Sequence, residues 1–282
     1  MEVNIMEPSP HNNGRVLELQ HCQVLHPENK LYINNKERFM ESDVIFHTSG
    51  VNRKIIGSRM EVALDNITIT KGVFGGCNFK NDPLVIVVSN PVDIVSYFTA
   101  KLPCLNPQKV IGTGTLLDSI RFSSAIANRY QVQGSDVKAM VLGEHGETMT
   151  LLFSQVKISG KTPEDEMFRN KDFRTIIRDE TIFAAREIKK TQEATFAGVS
   201  ECAVKIMDVY FSDQPEMMPV SVSVPKELME RLHIRQPIFY SLPMEVGNKK
   251  IEFKNHLMYT EEEWSQLRFS AMYLENVIKE FS

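Results

Sequence analysis

The sequence predicts an α/β fold, with a parallel sheet in its first half and an α+β region after it. Three observations predict it. The apolar runs 43–49 (DVIFHTS) and 84–88 (LVIVV) have no polar alternation and read as buried strands, and Val110 and Ile111 end a third. Helical segments separate them: Met60, Leu64 and Ile67 have helical spacing between Arg59 and about Lys71, a helix follows Pro91, and 116–130 reads as another. Continuous apolar strands alternating with helices indicate βαβ units whose sheet is covered on both faces.

The remaining elements follow in order. A short alternating piece, Val3 to Met6, precedes a Pro/Asn/Gly loop and a helix over 14–22. After 116–130, the run 137–142 reads as one buried strand, and 151–158 (LLFSQVKI) as an antiparallel strand opening a hairpin. The polar stretch 160–173 is expected as a loop, and 179–211 as one long helical stretch. Strands over 220–224 and 237–244 lead to an amphipathic helix, 261–281, with Trp264, Leu267, Met272, Leu274 and Ile278 on its buried face. The composition changes near 115–120, which divides the chain into 1–117 and 118–282.

A net charge of -4 gives no general attraction to nucleic acid or to an anionic membrane. The longest apolar candidate, 84–98, is broken by Asn90, Pro91 and Asp93, well short of the roughly 18 residues a membrane helix needs. Met1 to Pro10 carries Glu2, Glu7 and two prolines and is no secretory signal. Cys22, Cys77, Cys104 and Cys202 are scattered, which fits a reducing cytoplasm rather than a disulfide framework or a zinc site. Asn66-Ile67-Thr68 matches the glycosylation pattern, but without a secretory signal it reads as chance.

Chemistry concentrates in a few stretches. In Gly143-Glu144-His145-Gly146 a histidine lies between glycines at a strand's end, on backbone free to turn and expose the imidazole for proton transfer. A solvated turn is the plainer reading. Ser89-Asn90-Pro91-Val92-Asp93 follows a buried strand, where open parallel sheets bind ligands; a buried Asn90 there can donate to a substrate oxygen and accept from a cofactor amide, or merely close a turn. Asp118 and Arg121 are three apart and share a helix face. They suit either an ordinary surface salt bridge or separate work, Asp118 orienting His145 and Arg121 gripping a carboxylate through a two-pronged fork. A loop with Arg53, Lys54 and Arg59 carries three cations, as many solvated loops do.

These stretches, in this order, resemble the NAD-dependent lactate/malate dehydrogenase family. The matches are SGV…SR at 49–59, VVSNPVD at 87–93, VIGTGTLLDSIRF at 110–122 and GEHGETM at 143–149, supported by Ala194-Thr195-Phe196, MPVSVSV at 218–224 and the TEEEW helix. The resemblance runs through nearly the whole chain. It implies a Rossmann-type NAD-binding domain followed by an α+β substrate domain, acting on a 2-oxo or 2-hydroxy acid, in a homodimer or homotetramer. It implies His145 as proton donor and acceptor, Asp118 as its carboxylate partner, and Arg121 as anchor of the substrate carboxylate. Arg59 would polarise the reacting carbonyl from a mobile loop, and Thr195 would line the substrate. Asn90 would serve substrate and nicotinamide, while Gly50, Asn66, Val88 and Ser89 fall where the family contacts the dinucleotide. Arg53 aligns with the position that is glutamine in lactate-type and arginine in malate-type enzymes, so oxaloacetate is favoured over pyruvate. Isoleucines 55 and 56 replace the malate-type Pro-Gly, and Gly57 comes one position late.

One family element has no counterpart. The sequence contains no G-x-G-x-x-G, the turn whose N–H groups hold the pyrophosphate at a helix N-terminus. Matched backwards from Leu17-Glu18-Leu19-Gln20-His21, the chain is expected to start inside the second strand of the Rossmann unit, and Glu7 is the nearest substitute for the ribose-binding carboxylate. Two expectations follow: a malate-type dehydrogenase, or a non-catalytic relative acting as a partner subunit.

Overall fold

A computed structural model of the chain describes residues 1–7, 9, 13–51, 59–192, 195–254 and 257–281. The first half runs β1 (Glu2–Ile5), α1 (Asn13–Cys22), β2 (Lys30–Ile33), α2 (Lys36–Met40), β3 (Val44–His47), α3 (Arg59–Phe74), β4 (Leu84–Val87), α4 (Val92–Ala100) and β5 (Val110–Gly112). The second runs α5 (Leu116–Tyr130), β6 (Val137–Lys138), β7 (Val141–Leu142), β8 (Thr150–Leu151), β9 (Lys157–Ile158), α6 (Glu166–Arg169), α7 (Lys171–Lys189), α8 (Ala197–Phe211), β10 (Glu216–Ser223), α9 (Lys226–Met229), β11 (Phe239–Gly247), β12 (Lys250–Phe253) and α10 (Glu261–Lys279).

β3, β4 and β5 pair in parallel, as their unbroken apolar sequences require. All four residues of β4 are buried, so both its faces are covered. The strands β10, β11 and β12 are antiparallel and extend the same sheet, giving the order β12-β11-β10-β5-β4-β3. The two halves therefore share one sheet, joined where Ser221 of β10 pairs with Gly112 of β5. β1 and β2 form a separate parallel pair. Among the described residues no strand pairs between β1 and β3.

Two cores form. The larger joins the sheet to α4, α8 and α10 through residues such as Ile86, Ile111, Ile206, Val220, Tyr240 and Trp264. The smaller packs α5, α6 and α7 over the β6–β9 region through Phe122, Ile126, Val141, Phe168, Phe173 and Ile177. Fully burying each such side chain contributes about 1.5–3 kcal/mol relative to leaving it in water.

Several sequence expectations need correction. Val110 and Ile111 begin the third strand rather than end it. The run 137–142 is two short strands with different partners, β6 on β9 and β7 on β8. The expected strand over 151–158 is broken by a 3-10 turn at Phe153–Gln155, and its two pieces pair back onto 137–142 instead of opening a hairpin. The stretch 160–173 is not all loop: Asp165 caps α6 and Asn170 caps α7 by accepting main-chain N–H groups at the helix starts. The helical stretch expected over 179–211 is two helices, α7 and α8. On α10, Trp264, Leu267, Leu274 and Ile278 are buried as expected, whereas Met272 is exposed. Glu263, in the first turn of α10, completes a capping box with Thr260 and also accepts from the Ser154 amide and hydroxyl, which explains its burial.

Candidate active site

Because β3, β4 and β5 are parallel, their carboxyl ends open on one side of the sheet. There Gly50, Val88, Ser89, Asn90 and Gly114 face Asp118, Arg121 and His145 across a cavity of about 570 Å³. Ile182 and Arg186 of α7 and Thr195 also line it.

The strand-end loops are tied to one another. The Ser89 hydroxyl donates to the Ser49 carbonyl at 2.6 Å. The Asn66 side chain accepts from the Val51 N–H at 2.7 Å and donates to the Asn90 carbonyl at 2.5 Å. Asn66 is 1% exposed, which also removes Asn66-Ile67-Thr68 as a glycosylation acceptor in the folded chain. Asn90 corrects an expectation: it is exposed where it lines the cavity, not buried.

The His145 loop is held by its own backbone. Gly143 has φ +105, a conformation that L side chains rarely adopt. The N–H groups of Gly143, Glu144 and His145 donate in turn to the Ser241 carbonyl at 3.1 Å, the Ser270 hydroxyl at 3.0 Å and Asp93 Oδ2 at 2.8 Å. These acceptors come from β11, α10 and α4. The start of α5 is fixed by Thr115, whose N–H donates to the Ser241 hydroxyl and whose own hydroxyl donates to the Val141 carbonyl.

Asp118 is the centre of the charged group. Its Oδ2 lies 2.6 Å from His145 Nδ1 and its Oδ1 3.0 Å from Arg121 Nη1. The Asp118 side chain is 1% exposed and that of Arg121 13%, so this is no solvated surface pair of the kind worth little. Burial pushes the Asp118 carboxyl up, but the charges and hydrogen bonds of His145 and Arg121 outweigh it and hold its pKa below the usual value. For His145, burial pulls the pKa down. The charge and hydrogen bond of Asp118, with the charge of Asp93, outweigh that and hold it above the ordinary histidine value. A buried carboxylate bonded to Nδ1 sets the tautomer and leaves Nε2 as the site of proton exchange with a ligand.

This geometry meets a match in sequence. The lactate/malate dehydrogenase NAD-binding domain family matches residues 2–112, and the family's alpha/beta C-terminal domain matches residues 115–282. The chain belongs to the lactate/malate dehydrogenase family. It is 28% identical over 276 residues to the L-lactate dehydrogenase of Clostridium botulinum (strain Loch Maree / Type A3), covering 95% of this chain and 85% of that one. It is 28% identical over 278 residues to the L-lactate dehydrogenase of Acetivibrio thermocellus, covering 95% and 84%. Among solved structures, the minor L-lactate dehydrogenase of Enterococcus mundtii superposes with a TM-score of 0.88 at 25% identity, covering 100% of this chain and 90% of that one. Cryptosporidium parvum malate dehydrogenase gives 0.87 at 25% identity, covering 99% and 90%.

NAD is the cofactor of this family's N-terminal domain. Gly50, Val88, Ser89 and Asn90, at the carboxyl ends of β3 and β4, line the cavity. Asn90 is exposed to the cavity, and Gly50 approaches Asn66 so closely that a β-carbon there would lie 3.0 Å from Asn66 Oδ1. Glu7 follows β1 at its carboxyl end but is not among the residues lining the cavity; its carboxylate accepts from the Ser9 N–H at 2.7 Å. Arg53 lies outside the described residues, and Arg59 is described only as the first backbone position of α3.

Of the sequence-derived positions, His145, Asp118, Arg121, Asn90, Thr195, Gly50, Asn66, Val88 and Ser89 all line the one cavity. Sequence reasoning missed Asp93, Ser221, Ser241 and Ser270, which hold the site from behind. Asp93 was visible as an acid in the first turn of the helix after Asn90-Pro91, but helix starts attract acids for their own sake.

Proposed function

We propose that this chain catalyses the reversible NAD-dependent reduction of a 2-oxo acid to the 2-hydroxy acid, with oxaloacetate preferred over pyruvate. The arrangement that carries this reading is Asp118 bonded at once to His145 and Arg121 at the wall of the cavity. Arg121 binds the substrate carboxylate, since only its Nη1 is bonded to Asp118 among the described residues. Arg59 stabilises the charge that develops on the carbonyl oxygen, and His145 supplies that oxygen's proton from Nε2. Thr195 lines the substrate, and Asn90 orients substrate and nicotinamide together. Gly50, Asn66, Val88, Ser89 and, at the ribose, Glu7 hold the cofactor side. When bound, reduced NAD supplies the hydride. The residues 1–117 form the cofactor half and 118–282 the catalytic half. We assign a homodimer or homotetramer. Four free cysteines suit the cytoplasm, and no helix among the described residues is long and apolar enough to cross a membrane.

A second reading has an observation of its own. The sequence has no G-x-G-x-x-G turn, and among the described residues β1 pairs with β2 and not with β3. A non-catalytic partner subunit would need neither. Titrating the purified chain with NADH separates the two: quenching or enhancement of NADH fluorescence supports the enzyme, and no binding at high micromolar NADH removes it.

Where NADH binds, oxaloacetate is expected to turn over faster than pyruvate, and Arg53→Gln to narrow or reverse that preference. An arginine buried against the pyruvate methyl has no partner, and such a mismatch costs specificity strongly. Equal preference in the variant and the parent would count against Arg53 as the selector.

The pH dependence has a definite sign. Reduction consumes the proton on His145, so it requires the protonated ring. With the His145 pKa raised above 6.5, the reduction rate is expected to hold its plateau past pH 6.5 and fall only above that. Oxidation of the hydroxy acid rises over the same window. The ion pair's contribution to stability follows suit. The His145 part is full below 6.5 and lost as pH rises through its raised folded value. The Asp118 part is full above 3.8 and lost as pH falls through its depressed one. Rate–pH profiles in both directions check the sign; a reduction plateau ending below pH 6.5 contradicts it.

A further inference from the structure

Asp93 is a buried acid that the proposed chemistry does not use. It lies in the first turn of α4 and is 2% exposed. Its Oδ2 accepts the main-chain N–H of His145 at 2.8 Å, and its Oδ1 accepts the Ser221 hydroxyl of β10 at 2.5 Å. Of the three acceptors that hold the backbone of 143–145, it alone carries charge. An acid with both oxygens bonded to two other elements does more than complement the dipole of its own helix.

We propose that Asp93 is a positioning residue for proton transfer, clamping the backbone of His145 to α4 and β10 so that the imidazole stands at the cavity wall in reach of Asp118. The residue connects three parts that sequence keeps far apart: the loop after β4, the His145 loop and the strand that joins the two halves of the sheet. His145 is thus held by carboxylates at two points, Asp118 on the ring and Asp93 on the main chain. Burial pushes the Asp93 carboxyl up to about 6, a shift that Ser221 and the His145 N–H oppose and the Glu144 charge adds to. Its charge in turn helps hold the His145 proton.

Several ionisable groups face the pair among the described residues. His145 meets Asp118 and Arg121 from α5 and Asp93 from α4. In its own loop it is flanked by Glu144 and by Glu147, which pairs with Arg186 of α7. Asp93 meets His145, Glu144 and the Tyr240 phenol of β11. Through this network, deprotonating Asp93 is felt first at the His145 amide.

The inference rests on His145 as the proton-carrying residue. Its test is read on His145 itself by NMR of the full chain without cofactor or turnover, so its failure is distinct from failure of the enzymatic reading. In the parent chain the His145 amide resonance is expected to show an inflection near pH 6, separate from that of its ring. Asp93→Asn keeps the shape and removes the charge. It is expected to abolish that inflection and to lower the imidazole midpoint by about one pH unit. Ser221→Ala removes one donor to the carboxylate and is expected to move the amide inflection to higher pH. A merely structural Asp93 would change melting temperature and leave the imidazole midpoint alone. An imidazole midpoint unchanged in a folded Asp93→Asn chain overturns the proposal. Should that variant not fold, an amide that shows no inflection of its own in the parent chain, or none that moves in Ser221→Ala, overturns it equally.

Discussion

Replacing His145 by glutamine is expected to lower 2-oxo acid reduction about 10²–10⁴-fold, the range that a positioned general acid contributes. Glutamine fills similar space and can still donate a hydrogen bond to the carbonyl oxygen. It cannot deliver a proton as the oxygen gains charge. The effect belongs in kcat rather than in NADH affinity, because the residues proposed for the cofactor side, 50, 66 and 88–90, line the cavity from other elements. Steady-state rates with oxaloacetate, alongside an NADH titration of the same variant, separate the two. A variant that reduces at the parent rate would mean that water or another side chain protonates the product. The pH profile should also lose its upper limb, since the group that imposes it is gone.

Much of this site was legible because its residues lie in short stretches at the ends of buried strands. An unbroken apolar run such as 84–87 can hardly be anything but a central strand, and a parallel strand's carboxyl end is where a ligand sits. The helix 116–130 was read to its limits; it stops where Gln131 takes a left-handed φ of 54. The same logic failed where geometry depends on distant partners. The run 137–142 is as apolar as a single strand, yet its two ends pair with two different segments. Polarity hid α6 and the first two turns of α7, whose solvated faces outnumber Phe168 and Phe173, although the capping residues Asp165 and Asn170 were there to be read. The continuity of the sheet from β5 into β10 was not legible, because it depends on Ser221 meeting Gly112. Asp93 was hidden for the same reason: it is 52 residues from His145 and 128 from Ser221, and no local pattern announces such a contact.

Asp118→Asn is expected to be nearly as damaging as loss of the histidine, and by a different route. An amide can accept from His145 Nδ1 or from Arg121, but not from both while its NH₂ end faces one of them. If the NH₂ faces the ring, Nδ1 must become the acceptor and the tautomer is fixed in the neutral form. If it faces Arg121, two donors meet in a site where the original carboxylate was 1% exposed, so water relieves little of the mismatch. Either way the charge that offsets burial of the ring is lost, and each pH unit of lost His145 basicity corresponds to about 1.4 kcal/mol. The expected result is a reduction rate lower by about 10²–10⁴-fold at neutral pH. The upper limb of its pH profile should move to lower pH, and KM for the oxo acid should rise because Arg121 is no longer held in place. That combination distinguishes the two variants. His145→Gln abolishes the limb, whereas Asp118→Asn displaces it and weakens substrate binding. If Asp118→Asn lowered the rate with the limb unmoved and KM unchanged, Asp118 would be supporting the fold of α5 rather than the protonation of His145.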